Sequence, residues 1–336
     1  MAILIFRADG DTQIGLGHLY RCGGLSQILG NKHRRILFTK TLESSEVFAT
    51  ISTFFDEVRF ISPNLSTLQE RVLFEEDKAE VVILDGYEFG TDYQKAIKEG
   101  GMFKLISIDD LNKDHFYSDV LINHIIGIEE KDVLSQPNTK KYVGTDYAIL
   151  REEFIRFALE SKFKPASKLT IFVSMGGADL YNATFYIIKI LFDNYIDAKF
   201  EVLIGKAYRH QATLSEFTNQ KNIQFHYGID ASSMINLIDS CSLVICPAST
   251  VSYEAMCINT PIITGYISKF QIKIAQKLES FDLALNAGDL NNIDISFLKA
   301  VEAVRDNNKN MLASQKIYFH GQQAENLKRI FFSILS

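Results

Sequence analysis

The residues best placed to do chemistry lie near the start of the chain, in the stretch Asp9-Gly10-Asp11-Thr12-Gln13-Ile14-Gly15-Leu16-Gly17-His18-Leu19-Tyr20-Arg21-Cys22. Imidazole ordinarily titrates near pH ~6.5, so His18 can carry a proton at neutrality. Gly15 and Gly17 let a ligand come close to the backbone ahead of a helix N-terminus. A histidine here could merely satisfy a backbone group at the helix end. The two glycines and Asp9 favour the other reading, a general base oriented by a neighbouring carboxylate, Asp11 or Asp85.

Two further turns are built to hold phosphate. Ser174-Met175-Gly176-Gly177 follows an apolar run, and its main-chain amides suit an anion without a lysine or a metal. It is neither a Walker loop, since no Gly-Lys-Ser/Thr follows, nor a dinucleotide fingerprint, since the third glycine is missing. Pro247-Ala248-Ser249-Thr250-Val251-Ser252-Tyr253-Glu254-Ala255 is the second. Ser249 and Thr250 can cap a helix or donate to phosphate oxygens. Glu254 could accept from a ribose diol or simply complement the helix dipole, and Tyr253 could line the pocket or pack. Tyr87, Asp109 and Asp110 end strands and serve either as rim contacts or as turn caps. His115, His124, His210, His226 and His320 show no metal-ligand spacing, so no metal and no cofactor is expected.

These groups need a frame. Short apolar runs (Ile3–Phe6, Arg35–Thr39, Glu57–Ile61, Glu80–Leu84, Phe103–Ile108) alternate with helical stretches such as Leu19–Leu29 and Ser66–Glu76. That alternation predicts a parallel α/β sheet whose ligands collect beyond the C-terminal strand ends. Asp9, Tyr87 and Asp109 then share one rim. The pattern loosens from Leu111 and restarts with strands Leu169–Ser174, Lys199–Ile204, Ile223–His226, Leu243–Cys246 and Pro261–Thr264; the tail from Ile293 to Leu335 reads as helical. Two Rossmann-like domains are expected, residues 1–165 and 166–336, with the crossing near Phe163–Ser167. A net charge of −6 argues against nucleic acid and anionic membranes as partners. No apolar run reaches the roughly 20 residues of a membrane span, and MAILIFRADG reads as a strand start, not a signal peptide. Cys22, Cys241, Cys246 and Cys257 read as buried reduced thiols in a cytoplasmic setting.

With these residues in place, the chain resembles a known family. The pattern D…IGLGH..RC at Asp9 to Cys22, DGY at Asp85 to Tyr87, IDD at Ile108 to Asp110 and G.DYAILREEF at Gly144 to Phe154 is similar to PseG, the UDP-2,4-diacetamido-2,4,6-trideoxy-β-L-altropyranose hydrolases of pseudaminic acid biosynthesis. SMGGAD, ICPASTVSYEAM and the helix after Gly321 resemble the nucleotide-binding half of MurG-type GT-B glycosyltransferases. The resemblance implies a GT-B fold, two Rossmann-like domains with a cleft between them and a closing helix that returns to the first domain. It implies metal-independent, inverting hydrolysis of a UDP-sugar. His18 would activate water and Tyr87 would share that site, while Gly15, Gly17, Arg21, Gly176, Gly177, Ser249, Thr250, Tyr253 and Glu254 would bind substrate, Glu254 on the ribose. One position departs: some members carry asparagine where this chain has Tyr253, and a phenol cannot reproduce both ends of an amide. A GT-B glycosyltransferase with a UDP-sugar donor and an alcohol acceptor is the alternative. A non-catalytic nucleotide-sugar binding protein is a third.

Overall fold

Runs of Val, Ile, Leu and Phe too apolar to alternate become strands buried on both faces. A computed structural model describes residues 1–10, 16–41, 46–160 and 168–335, and its strands form two sheets. The first contains β1 (Ile3–Ala8), β2 (Arg34–Thr39), β3 (Glu57–Phe60), β4 (Val81–Asp85), β5 (Lys104–Asp109), β6 (Val120–Asn123) and β7 (Lys140–Val143). All pairings are parallel, in the order β3-β2-β1-β4-β5-β6-β7. The second contains β8 (Thr170–Val173), β9 (Lys199–Ile204), β10 (Ile223–Tyr227), β11 (Leu243–Pro247), β12 (Ile262–Tyr266) and β13 (Leu285–Asp289). It is also parallel, ordered β10-β9-β8-β11-β12-β13. Both are doubly wound, and strand order reverses between β1 and β4 in one and between β8 and β11 in the other. Such switch points open a crevice at the C-terminal strand ends.

Each sheet has its own core. Ile5, Ile36, Phe38, Phe74 and Leu105 are fully buried on the first; Ile171, Ile187, Phe200 and Val202 are fully buried on the second. The compact units are residues 1–152 with 322–336, and 153–321. The helix Gln323–Leu335 therefore belongs to the first unit, as the resemblance implied, burying Leu327, Ile330 and Phe331. Asn326 Nδ2 donates to the Asp146 carbonyl at 3.1 Å, tying this helix to the unit's own turn. The expected crossing at Phe163–Ser167 lies outside the described residues.

Three strands have no counterpart in the sequence reading. β6 and β7 are four residues each, and β7 begins with two lysines; β13 carries Asn286, Gly288 and Asp289. Their sequence signal is weak because pairing to a formed neighbour supplies what local propensity does not. All four cysteines are buried and free. Among the described residues, no helix is long and apolar enough to cross a membrane.

The Gly-Gly turn after β8 is fixed by close approach. Gly176 has φ +81°, a left-handed conformation that favours glycine. A Cβ on Gly205, at the end of β9, would stand 2.2 Å from the Gly177 carbonyl oxygen. The clash is with backbone, so Gly205→Ala should destabilise the fold by about 3 kcal/mol. Urea unfolding measures it, and an unchanged midpoint would refute this account of the turn.

Candidate active site

At the switch point of the first sheet, the helix Gly17–Leu29 starts beside the end of β4. His18 and Arg21, one turn apart on that helix, both reach Asp85. His18 Nδ1 lies 2.7 Å from Asp85 Oδ1. Arg21 donates from Nε to Asp85 Oδ2 at 2.7 Å and from Nη2 to Oδ1 at 2.5 Å. Asp85 is fully buried. Burial works to raise its pKa, but the Arg21 charge and hydrogen bonds, then His18, take it well below the usual carboxylate range. An ionised carboxylate only accepts, so the short contact requires the proton on Nδ1 and leaves Nε2 with the lone pair. Arg21 Nη2 also lies 3.0 Å from Nδ1, farther than its 2.5 Å bond to the anionic oxygen. The arrangement suits a general base.

Arg21 is a hub. Its Nη1 donates to Asp110 Oδ2 at 2.8 Å and lies 3.3 Å from His124 Nε2. One guanidinium thus ties the ends of β4, β5 and β6 to the helix that carries His18. It is 5% exposed, and its hydrogens are directed to protein partners. Its expected place is the substrate-binding set; in the structure it lines the recess with His18 and directs its hydrogen bonds to Asp85 and Asp110. Burial alone would lower its pKa, but Asp85 and Asp110 hold it well above the ordinary value. His124 is pushed down to about 4, first by burial and then by the Arg21 charge, so it is neutral and able to accept.

Tyr87 meets the imidazole edge-on, with ring centroids 4.6 Å apart at 90°. Burial and then the charge of Asp110 push its phenol up, which keeps it protonated. Together with Arg21, Asp110 and Lys113, His18 and Tyr87 line a recess at the strand ends. His18 is 5% exposed, yet it faces this polar recess and not the apolar core. Cys22 Sγ lies 3.9 Å from Asp85 Oδ2, and burial plus that carboxylate keep the thiol protonated.

Asp9 and Asp109, the other expected rim carboxylates, are taken up by structure. Asp9 accepts from the Lys40 amide at 2.5 Å and pairs with Arg7 at 2.8 Å. Asp109 accepts from the Leu111 and Asn112 amides and from Asn123. Gly17 is the first residue of its helix, and Leu16 ahead of it supplies no side-chain cap. Asp11 and Gly15 lie outside the described residues. His124 carries no signal of its own in the sequence beyond its lack of metal-ligand spacing, because the four-residue strand β6 that it follows has a weak local signal. Among the described residues, no group of three or more His, Cys, Asp or Glu is placed to hold a metal ion.

In the second unit, both phosphate-type turns fall at the other switch point, after β8 and β11. The amides of Ala183 and Thr184 at the start of the next helix are occupied by Asp179, at 2.8 and 2.9 Å. The start of that helix is therefore not open to an anion through those two amides. Ser249 is the N-cap of the helix Thr250–Ile258: its amide donates to the Ser252 hydroxyl at 3.3 Å, and its own hydroxyl donates to the Pro247 carbonyl at 3.3 Å. Tyr253 is 4% exposed and packs against Phe319 with centroids 5.0 Å apart; Glu254 is 3% exposed.

The His124 shift has a consequence for stability. The unfolded chain takes up a proton near pH ~6.5, while the folded chain refuses it until about pH 4. Stability from this group is whole above that upper value and drains as pH falls through the window, by roughly 3 kcal/mol at most. Melting between pH 7 and 4 should show the loss, and His124→Gln should flatten it; an identical slope in the variant would refute the assignment.

No family model matches the chain. It is 28% identical over 259 residues to the UDP-2,4-diacetamido-2,4,6-trideoxy-beta-L-altropyranose hydrolase of Campylobacter jejuni, covering 75% of this chain and 87% of that protein. It is 28% identical over 275 residues to the uncharacterized protein MJ1062 of Methanocaldococcus jannaschii, covering 78% of this chain but only 55% of that relative's length. It is 27% identical over 287 residues to the spore coat polysaccharide biosynthesis protein SpsG of Bacillus subtilis, covering 84% and 82%. Among solved structures, Acinetobacter baumannii MurG matches with a TM-score of 0.65 at 12% identity, over 98% of this chain and 99% of that one. Medicago truncatula UGT71G1, complexed with UDP-glucose, matches with a TM-score of 0.65 at 10% identity, over 100% and 98%. The structural likenesses show the fold, that of the GT-B glycosyltransferases, and the sequence similarity bears out the resemblance to PseG carried by the motifs.

Proposed function

We propose that this chain is an enzyme acting on a UDP-sugar: a hydrolase that releases UDP and the free sugar from a UDP-linked 2,4-diacetamido-2,4,6-trideoxy sugar, in the making of a pseudaminic acid-type surface sugar. The observation that carries the reading is the His18 ring, whose Nδ1 is held by an ionised carboxylate, so that Nε2 is the nitrogen left to act as base. The similarity to the Campylobacter hydrolase supports the substrate class. Nε2 takes a proton from water as the water oxygen bonds to the anomeric carbon, on the face opposite the nucleotide. The anomeric C–O bond breaks, its electron pair leaves on UDP, and the imidazolium returns the proton to solvent. A glycosidase needs a second carboxyl to protonate a poor leaving group. UDP leaves as a stable anion, so one base suffices and no metal is assigned a step.

The division of labour proposed is that the first unit supplies base and sugar contacts while the second binds UDP. Amides of Gly176 and Gly177 and the start of the Thr250–Ile258 helix would stabilise charge developing on the diphosphate. Glu254 would accept from the ribose. A second reading is favoured by those fold neighbours that are glycosyltransferases by name: His18 would then deprotonate an acceptor alcohol. Without acceptor, a hydrolase gives free sugar stoichiometric with UDP, whereas a transferase gives only slow leakage.

His18→Asn should lower kcat by about 100-fold or more while UDP affinity stays within twofold. Wild-type turnover in that variant would remove His18 from the mechanism. Glu254→Ala should weaken UDP binding about tenfold by calorimetry, and unchanged affinity would reject its ribose role.

A further inference from the structure

The recess beside His18 holds a group that the mechanism does not use. Ser107, on β5, is 3% exposed, and its hydroxyl has no hydrogen-bond partner among the described residues. The recess is lined by Ser107 together with Asp110, whose carboxylate holds Arg21 through Oδ2 and also interacts with the Tyr87 phenol, while Oδ1 is buried with no hydrogen-bond partner of good geometry among the described residues. A buried hydroxyl left unpaired costs about 1–3 kcal/mol, so such groups normally have a partner, from the protein or from what it binds. The rest of the lining is mixed: Leu84, Phe89, Ile108 and Phe116 are apolar, and Lys113 and Asp114 are charged. Gln94 also lines the recess, but both ends of its amide are committed, Nε2 to the Phe89 carbonyl at 2.9 Å and Oε1 to the Tyr117 amide at 2.8 Å.

A donor, an acceptor and a small apolar pouch are what a secondary amide with a methyl end requires. A sugar hydroxyl would satisfy the polar pair but would leave the apolar walls against water. Resting on the nucleotide-sugar reading above, we propose that this recess is a specificity subsite for an acetamido arm of the sugar. The Ser107 hydroxyl donates to the acyl oxygen, Asp110 Oδ1 accepts from the amide N–H, and the methyl enters between Leu84, Phe89 and Phe116. Held there, the arm sets the position of the sugar ring beside His18 and Tyr87, which line the same recess.

The test compares a UDP-linked 2,4-diacetamido sugar with the analogue that carries a free amine in place of one acetamido group, using wild type, Ser107→Ala and Ser107→Val. Ser107→Ala removes only the hydroxyl, so it remains informative if the larger variant fails to fold. Losing the donor should raise KM for the diacetamido substrate about tenfold with kcat within threefold. Ser107→Val should fill the pouch and abolish the preference for the acetylated substrate. Saturation-transfer NMR on the N-acetyl methyl of the free sugar gives a readout that needs no turnover: strong transfer from wild type, lost in Ser107→Val. Methyl transfer that is absent in wild type, or equal in all three proteins, overturns the subsite, as does an unchanged KM in both variants. If wild type releases no UDP from either substrate, the hydrolase reading fails, and the subsite is then judged on methyl transfer alone.

Discussion

The candidate site depends on one buried carboxylate. Asp85, at the end of the fourth strand, is shared between a guanidinium and an imidazole that rise one turn apart from the first helix. Without Arg21, burial would tend to protonate Asp85, which could then donate to His18 and leave its tautomer unfixed. With Arg21, Asp85 is ionised and accepts, and the ring must present its other nitrogen. The charges inside this network satisfy one another, so the cost of burying them is met by short, well-directed bonds. Removing a single partner would strand the others.

The guanidinium also reaches further than the base it supports. Through Asp110 and His124 it links three successive strand ends, and all three contacts lie at the C-terminal end of one sheet. A local disturbance at any of these residues is therefore transmitted to the ring. His124 serves because it is neutral: burial and the neighbouring cation keep the proton off, and the lone pair is what Arg21 needs.

The two units repeat one construction for two chemical tasks. Each is a doubly wound parallel sheet, and in each the distinctive turns emerge where strand order reverses. In the first unit that position holds titratable groups. In the second it holds small residues whose value is main-chain amide. The helix start at Ala183 shows that not every amide at such a place is available, since Asp179 already occupies it.

The sequence by itself determined the α/β class, most strands, the doubled architecture and the turns that carry the candidate site. Those features are local: apolar runs mark buried strands, and glycines or small hydroxyl residues after them mark strand-end turns. His18 stood out for the same reason. The amino acids alone left open whether Asp11 or Asp85 orients the ring, because residues far apart in the chain carry no mark of being neighbours. Tertiary structure decided for Asp85 among the described residues. It turned Arg21 to Asp85 and Asp110 and gave His124 a role through a four-residue strand whose local signal is weak. It also set Tyr253 and Glu254 into the second unit's interior. Periodicity records which face of an element is buried. Which charged group meets which is settled only when strands from distant parts of the chain end side by side, where burial makes an unpaired charge too costly to leave.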